Sequence, residues 1–204
     1  MHYDVPYPSQ GATYFDRSAA DLVFLPKDPV VHKPITTAQY LNKKLRWITL
    51  GGQYDWTQKI YPAGPPPPFP ADIKRLVESL FPMKAEAAIV NLYSPGDTLS
   101  LHRDVSEECD QPLVSISLGC DGIFVIGIDS NGEDGGPRIA TLRLRSGDAV
   151  LMSGESRYAW HSVPKVLEST SPEWMQSWPG HSFPEWEGWM KGKRINLNVR
   201  QMFA

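Results

Sequence analysis

Residues 194–200, Arg-Ile-Asn-Leu-Asn-Val-Arg, alternate strictly between polar and apolar side chains. On a β-strand successive side chains point to opposite faces, so Arg194, Asn196, Asn198 and Arg200 share one face and Ile195, Leu197 and Val199 the other. Two arginines and two asparagines are costly to bury side by side unless an anion occupies the space in front of them. A guanidinium fork matches a carboxylate bidentately. A surface strand with one solvated face carries the same pattern, so this segment alone leaves both arrangements open.

The segments before it are built of similar material. Strands are expected at 87–93, 99–103, 113–118, 122–128, 139–144 and 149–153, and a further one at 46–50 enters the glycine turn Gly51-Gly52. Ser94-Pro95-Gly96-Asp97, the stretch 130–137 and Ser146-Gly147-Asp148 mark the turns between them. Many short strands with such turns, in a chain holding 19 prolines and 16 glycines, favour a sandwich or jelly roll over a helical bundle. The fold class expected is α+β, mainly β: a double-stranded β-helix (jelly roll) core with an N-terminal arm and supporting helices. A single domain over 1–204 fits the length, with 1–84 as arm and support, 85–204 as jelly-roll core and an inserted loop at about 165–192.

The clearest helix is predicted over 71–81, where Ile73, Leu76, Val77, Leu80 and Phe81 recur at helical spacing and Pro82 stops it. A short helix runs from the caps Thr36 and Thr37 to Leu45, burying Tyr40, Leu41 and Leu45. Residues 1–35, punctuated by Pro6, Pro8, Pro26, Pro29 and Pro34, are expected to wrap the domain, with Tyr3, Tyr7, Tyr14 and Phe15 packing inward. The proline-rich stretch 62–70 reads as a stiff extended connector.

Two cysteines, Cys109 and Cys120, imply no disulfide framework and a reducing, intracellular setting. No apolar run has the length of a membrane span, so a soluble protein without a membrane role is expected. Net charge is −3, which removes any global electrostatic argument for nucleic acid. Residues 1–90 hold 10 Lys and Arg against 8 Asp and Glu, whereas residues 91–204 hold 10 against 15. The densest basic cluster, Lys43, Lys44 and Arg46, reads equally as a solvated helix end or a phosphate contact.

Metal chemistry enters through His102-Arg103-Asp104 at the end of a strand-like run. Side chains two apart converge, so His102 and Asp104 can share one metal while Arg103 points outward. Of the five histidines, only His102 and His161 end strand-like runs, and a jelly roll brings strand ends together at one mouth. Two histidines and a carboxylate on one face of a metal leave open positions, as in non-haem Fe(II) oxygenases.

Taken together, Asn91-x-Tyr93, His102-x-Asp104, Gly154-Glu155-Ser156-Arg157-x3-His161 and Arg194-x-Asn196-x3-Arg200 resemble, in order and approximate spacing, the motifs of the AlkB-like Fe(II)/2-oxoglutarate dioxygenases. The similarity runs from about Trp47 to Gln201. It looks closest to the eukaryotic AlkB homologue-one branch, on Arg46-Trp47-Ile48-Thr49-Leu50-Gly51, the spacing to Tyr54, and Val163-Pro164. Members of that branch tend to carry longer N-terminal segments, so Met1 is not taken as the natural start.

The resemblance implies that His102, Asp104 and His161 bind Fe(II). It implies that Arg194 pairs with the distal carboxylate of 2-oxoglutarate, with Asn91, Tyr93 and Asn196 around it and Arg200 completing the pocket. Trp47 and Tyr54 match the family's aromatic substrate lid, which holds an extruded base against His102. Core packing is the competing role for Tyr54. At Asn198 the family usually has Thr, a departure that touches the shaping of the site rather than its grip.

The implied reaction consumes 2-oxoglutarate and O2, removes a methyl group from a base in tRNA or DNA, and releases formaldehyde, succinate and CO2. A monomer acting on RNA or DNA is expected, in nucleus or cytoplasm, with the mitochondrion also open. A protein or peptide oxygenase of the same cofactor class and a non-catalytic nucleic-acid-binding relative are the competing readings. Flat aromatics at 47 and 54 argue against the first, and the complete ligand set against the second.

Overall fold

The computed structural model describes residues 2–6, 8–9, 11–55, 58, 64–105, 109–129 and 136–203. Alternating apolar segments form nine antiparallel strands among them: β1 (Trp47–Gly51), β2 (Ala87–Tyr93), β3 (Leu99–His102), β4 (Leu113–Gly119), β5 (Gly122–Ile128), β6 (Arg138–Leu144), β7 (Ala149–Met152), β8 (Trp160–Val166) and β9 (Arg194–Arg200). They assemble into a five-stranded sheet, β1-β2-β9-β4-β7, and a four-stranded sheet, β3-β8-β5-β6. This is the jelly roll expected from the strand pattern.

Chain contacts divide the protein into two compact units, one of residues 47–172 and 192–204, the other of residues 1–46 and 173–191. In the first unit Leu113 and Met152 of the larger sheet pack with Phe124, Leu144 and Val163 of the smaller, which fixes the two sheets face to face. The other face of the larger sheet is covered by helix α2 (Ala71–Leu80), whose Val77 is fully buried against Ala88, Val114 and Val199. Ile73 and Phe81 pack at its margin. Leu76 and Leu80, predicted to join them, are 52% and 64% exposed, so the stripe in contact is narrower than the apolar stripe of the sequence. Gly51 closes β1 at φ 64°, and a β-carbon there would lie 2.2 Å from the Glu86 carbonyl oxygen, so the turn admits only glycine.

Strand β8 was not expected from the sequence, because Pro164 reads as a breaker. The chain accommodates it with an irregularity: β5 pairs Ile123 with Lys165 but Val125 with Ser162, so three steps of β8 face two of β5 across Val163-Pro164. A second irregularity lies in β3, which pairs Leu99 with Val163 and then His102 with His161. These two bulges leave the histidines directly opposite one another.

In the other unit, Thr36 caps a short helix, α1 (Thr37–Gln39), which continues as a wider helical turn over Tyr40–Lys44. Tyr40 stacks on Phe24 with ring centroids 3.9 Å apart, and Tyr3, Leu41 and Trp186 complete that core. Tyr14 and Phe15 pack against it, so these aromatics serve a core within their own unit; Tyr7 lies outside the described residues. Residues 173–191, within the predicted inserted loop, supply Phe183, Trp186 and Trp189 to the same cluster through short helical turns. Lys43, Lys44 and Arg46 are exposed, so neither reading of that cluster is decided. Of the proline connector, residues 64–70 run without regular structure and 62–63 lie outside the described set. Cys109 and Cys120 are both buried, and neither forms a disulfide. Among the described residues no helix is long and apolar enough to cross a membrane.

Candidate active site

Strand β9 lies between β2 and β4, so its polar face turns into the jelly roll instead of toward water. Arg194, Asn196, Asn198 and Arg200 are all buried, Arg194 to 1% exposure. The register sets Arg194 beside Tyr93, Asn196 beside Asn91 and Asn198 beside Ser115. Asn196 Nδ2 donates to Ser115 Oγ (2.6 Å) and Arg194 Nη2 to Ser117 Oγ (3.1 Å).

That leaves capacity unused. Among the described residues Arg194 Nε and Nη1 and the Tyr93 hydroxyl have no hydrogen-bond partner in the protein, although all are buried. Burial pushes the Tyr93 hydroxyl up to about 12, with the Arg194 charge pulling the other way, so it is a donor at ordinary pH. Burial also holds Arg194 below its ordinary value, though a guanidinium stays charged under these conditions. A buried cation with two unpartnered N–H groups, facing a protonated hydroxyl, is a receptor for an anion. Gly122 makes room for it, since a β-carbon there would sit 2.6 Å from Arg194 Nε.

His102, Asp104 and His161 line the same cavity as Arg194. One ligand atom from each can be chosen so that all lie within 4.8 Å of one another. His102 Nδ1 meets the Ser100 carbonyl at 2.8 Å and His161 Nδ1 the Ala159 carbonyl at 3.0 Å. Both contacts tie down the rear nitrogen, so each Nε2 faces Asp104, at 3.9 Å from Oδ1 and 3.8 Å from Oδ2 respectively. Burial lowers the His161 pKa and favours the neutral ring that a metal needs. For Asp104 burial alone would raise the pKa, but Arg200, His161, the Asn198 hydrogen bond and His102 together outweigh it, and the carboxyl is held below the usual range.

Asp104 is also gripped in ways the sequence did not reveal. Asn198 Nδ2 donates to Asp104 Oδ2 at 3.0 Å, and Arg200 Nη2 approaches the same oxygen at 3.4 Å. Arg157 Nη1 donates to the Asp104 main-chain oxygen (2.9 Å) and its Nε to that of Gln111 (2.7 Å). Arg157 stands in the motif around His161, and Asn198 on the polar face of β9. Those positions were the available signals; their partners, 53 and 94 residues away, were not.

A cavity of about 630 Å³ joins these parts. It is walled by Leu113, Phe124, Met152 and Val163, and His102, Asp104, His161, Arg194, Asn196 and Arg200 open into it. Asn91 lines it too, while Tyr93 reaches the site through Arg194. Trp47, 42% exposed, and Tyr54 line the same cavity. Tyr54 also packs against Ala87 and Met202, so it serves both core and cavity.

A sequence model of the 2OG-Fe(II) oxygenase superfamily matches residues 8–200, nearly the whole chain. The chain belongs to the 2OG-Fe(II) oxygenase superfamily. Within it the likeness is to AlkB-type members. The N6-methyladenosine RNA demethylase ALKBH of Cryphonectria parasitica is 52% identical over 219 residues, covering 99% of this chain and 98% of that protein. The tRNA demethylase abh1 of Schizosaccharomyces pombe is 48% identical over 179 residues, 83% of this chain but only 57% of that one. A solved structure of OsALKBH1 superposes with a TM-score of 0.58 at 24% identity, covering 76% of this chain and 77% of that one, a likeness of fold.

2OG-Fe(II) oxygenases use Fe(II), 2-oxoglutarate and O2. The residues present fit these groups. Two imidazoles with free Nε2 atoms and an ionised carboxylate form the donor set for a non-haem Fe(II). The unpartnered Arg194 and Tyr93 donors, with the space left by Gly122, suit a carboxylate.

Proposed function

We propose that this 2OG-Fe(II) oxygenase removes N-methyl groups from nucleobases in nucleic acid, with N6-methyladenine in RNA as the leading substrate. One observation carries the reading: the His102/Asp104/His161 cluster and the buried Arg194 receptor open into one cavity whose lining includes the half-exposed Trp47. RNA is favoured because both relatives described above are named for demethylation of RNA.

In this reading His102, Asp104 and His161 hold the metal, and Arg194 takes the distal carboxylate of 2-oxoglutarate with Tyr93, Asn91 and Asn196 about it. Arg200 and Asn198 fix the Asp104 carboxylate, and Arg157 its main chain. Trp47 and Tyr54 hold the base against the His102 ring. When bound, iron and 2-oxoglutarate supply an oxidation in which O2 gives one oxygen atom to succinate and the other to the N-methyl carbon, with loss of CO2. The resulting hydroxymethyl group breaks at its C–N bond: the hydroxyl proton moves to the exocyclic N6 nitrogen and formaldehyde leaves. The chain's contribution is positional. Apolar walls exclude bulk water, and the base is held with its methyl group toward the metal cluster.

The test is mass spectrometry of nucleosides from N6-methyladenosine RNA, methylated tRNA and N6-methyladenine DNA after incubation with protein, Fe(II) and 2-oxoglutarate. Loss of the methylated nucleoside with equivalent formaldehyde, greatest on RNA, supports the reading. Succinate formation stimulated by no nucleic acid, but by a peptide pool, would transfer the enzyme to the protein oxygenases.

A further inference from the structure

His102 of β3, Asp104 just past its end and His161 of β8 form the metal cluster; their outward neighbours meet on the other side. Arg103, between His102 and Asp104, points away from them, and so does Trp160, which precedes His161. Arg103 Cζ lies 5.7 Å from the centroid of the Trp160 ring, within cation–π range. Its Nε donates to the Tyr158 carbonyl oxygen at 2.8 Å, and among the described residues its terminal nitrogens have no hydrogen-bond partner. Among the described residues no carboxylate pairs with Arg103.

The surroundings are equally unusual for open surface. Trp160 is 40% exposed, and Leu101 and Val105, on the Arg103 side of their segment, are 61% and 60% exposed. Arg103 and Val105 also line the cavity, so this patch is continuous with its mouth. A flat aromatic, a guanidinium 5.7 Å from its ring centroid and two flanking apolar side chains together offer a π face and an anion contact side by side. A nucleotide has both complements, in its base and its phosphate. A peptide presents them only by coincidence of side chains.

We infer that Arg103 and Trp160 form a platform for the nucleotide adjoining the methylated base, its base stacked on Trp160 and its phosphate on Arg103. This rests on the demethylase reading above and adds that the enzyme recognises a strand rather than a lone nucleotide.

Isothermal titration of the Mn(II)- and 2-oxoglutarate-loaded protein tests it with two probes. One is N6-methyladenosine 5′-monophosphate; the other is a five-nucleotide single-stranded RNA with N6-methyladenosine at its centre. Wild-type protein is expected to bind the RNA at least about tenfold more tightly. Trp160→Ala should weaken the RNA about tenfold while the monophosphate changes by less than about twofold, and Trp160→Phe should restore the difference. Arg103→Gln should lower the slope of log Kd against log salt for the RNA by about 0.7, the value for one single-strand phosphate contact. An unchanged RNA affinity in Trp160→Ala, or equal weakening of both probes, overturns the platform and leaves the demethylase reading standing. Failure of wild-type protein to bind either probe overturns both.

Discussion

At the scale of single residues, the site depends on how Asp104 and Arg194 are held. Asn198 donates to the Asp104 oxygen that Arg200 also approaches. Removing the amide frees a carboxylate that must present a fixed geometry to a metal, and loss of such supporting contacts typically costs 10–100-fold in metal affinity. Asn198→Ala is therefore expected to weaken Mn(II) binding about tenfold by calorimetry, with Asn198→Thr recovering most of it; equal binding by wild type and Asn198→Ala would remove the role. Gly122→Ala places a methyl carbon 2.6 Å from Arg194 Nε, which must then shift, so the apparent KM for 2-oxoglutarate should rise at least about tenfold with Mn(II) affinity little changed. His102, Asp104, Arg194 and Arg200 could be singled out in the sequence because they stand in or at the end of short alternating segments, whereas His161 could be singled out only through the motif around it. The grip of Asn198 and Arg157 on Asp104 was not, since it joins residues that only the closed jelly roll brings together.

Secondary-structure elements show a similar division. Strands β2 and β5 were legible to the residue, because alternation and β-branched side chains mark both faces. Strand β8 was not, because Pro164 is tolerated through a bulge that no local signal announces. Helix α2 was legible as an element but not in which of its apolar residues are covered, a matter of where the sheet ends. Unfolding in urea separates the two classes. Val77→Ala should cost roughly 2 kcal/mol, from two buried methyl groups and the void they leave, whereas Leu76→Ser and Leu80→Ser should each lie within about 0.5 kcal/mol of wild type. A large loss at Leu80 would mean that this face is covered in solution.

For the molecule as a whole, the metal cluster and the arginine receptor belong to one unit of residues 47–172 and 192–204, and their ligands should stabilise that unit by mass action. Mn(II) and 2-oxoglutarate together, each at about 100 times its Kd, should add about 2.7 kcal/mol per ligand to unfolding, seen as a rise of several degrees in Tm. A chelator should reverse the metal's share, and Arg194→Met should abolish the share of 2-oxoglutarate while sparing that of Mn(II). In the proposed arrangement His102, Asp104 and His161 would hold one Fe(II), and Arg194 would take the distal carboxylate of the 2-oxoglutarate bound beside it. The most direct measurement is an anaerobic titration with Fe(II) and 2-oxoglutarate, following the visible charge-transfer band that a chelated 2-oxo acid gives with Fe(II). The band should saturate at one equivalent of iron per chain, vanish in Asp104→Ala, and require far more 2-oxoglutarate in Arg194→Met; no band in wild-type protein, or an undiminished one in Asp104→Ala, would rule this arrangement out.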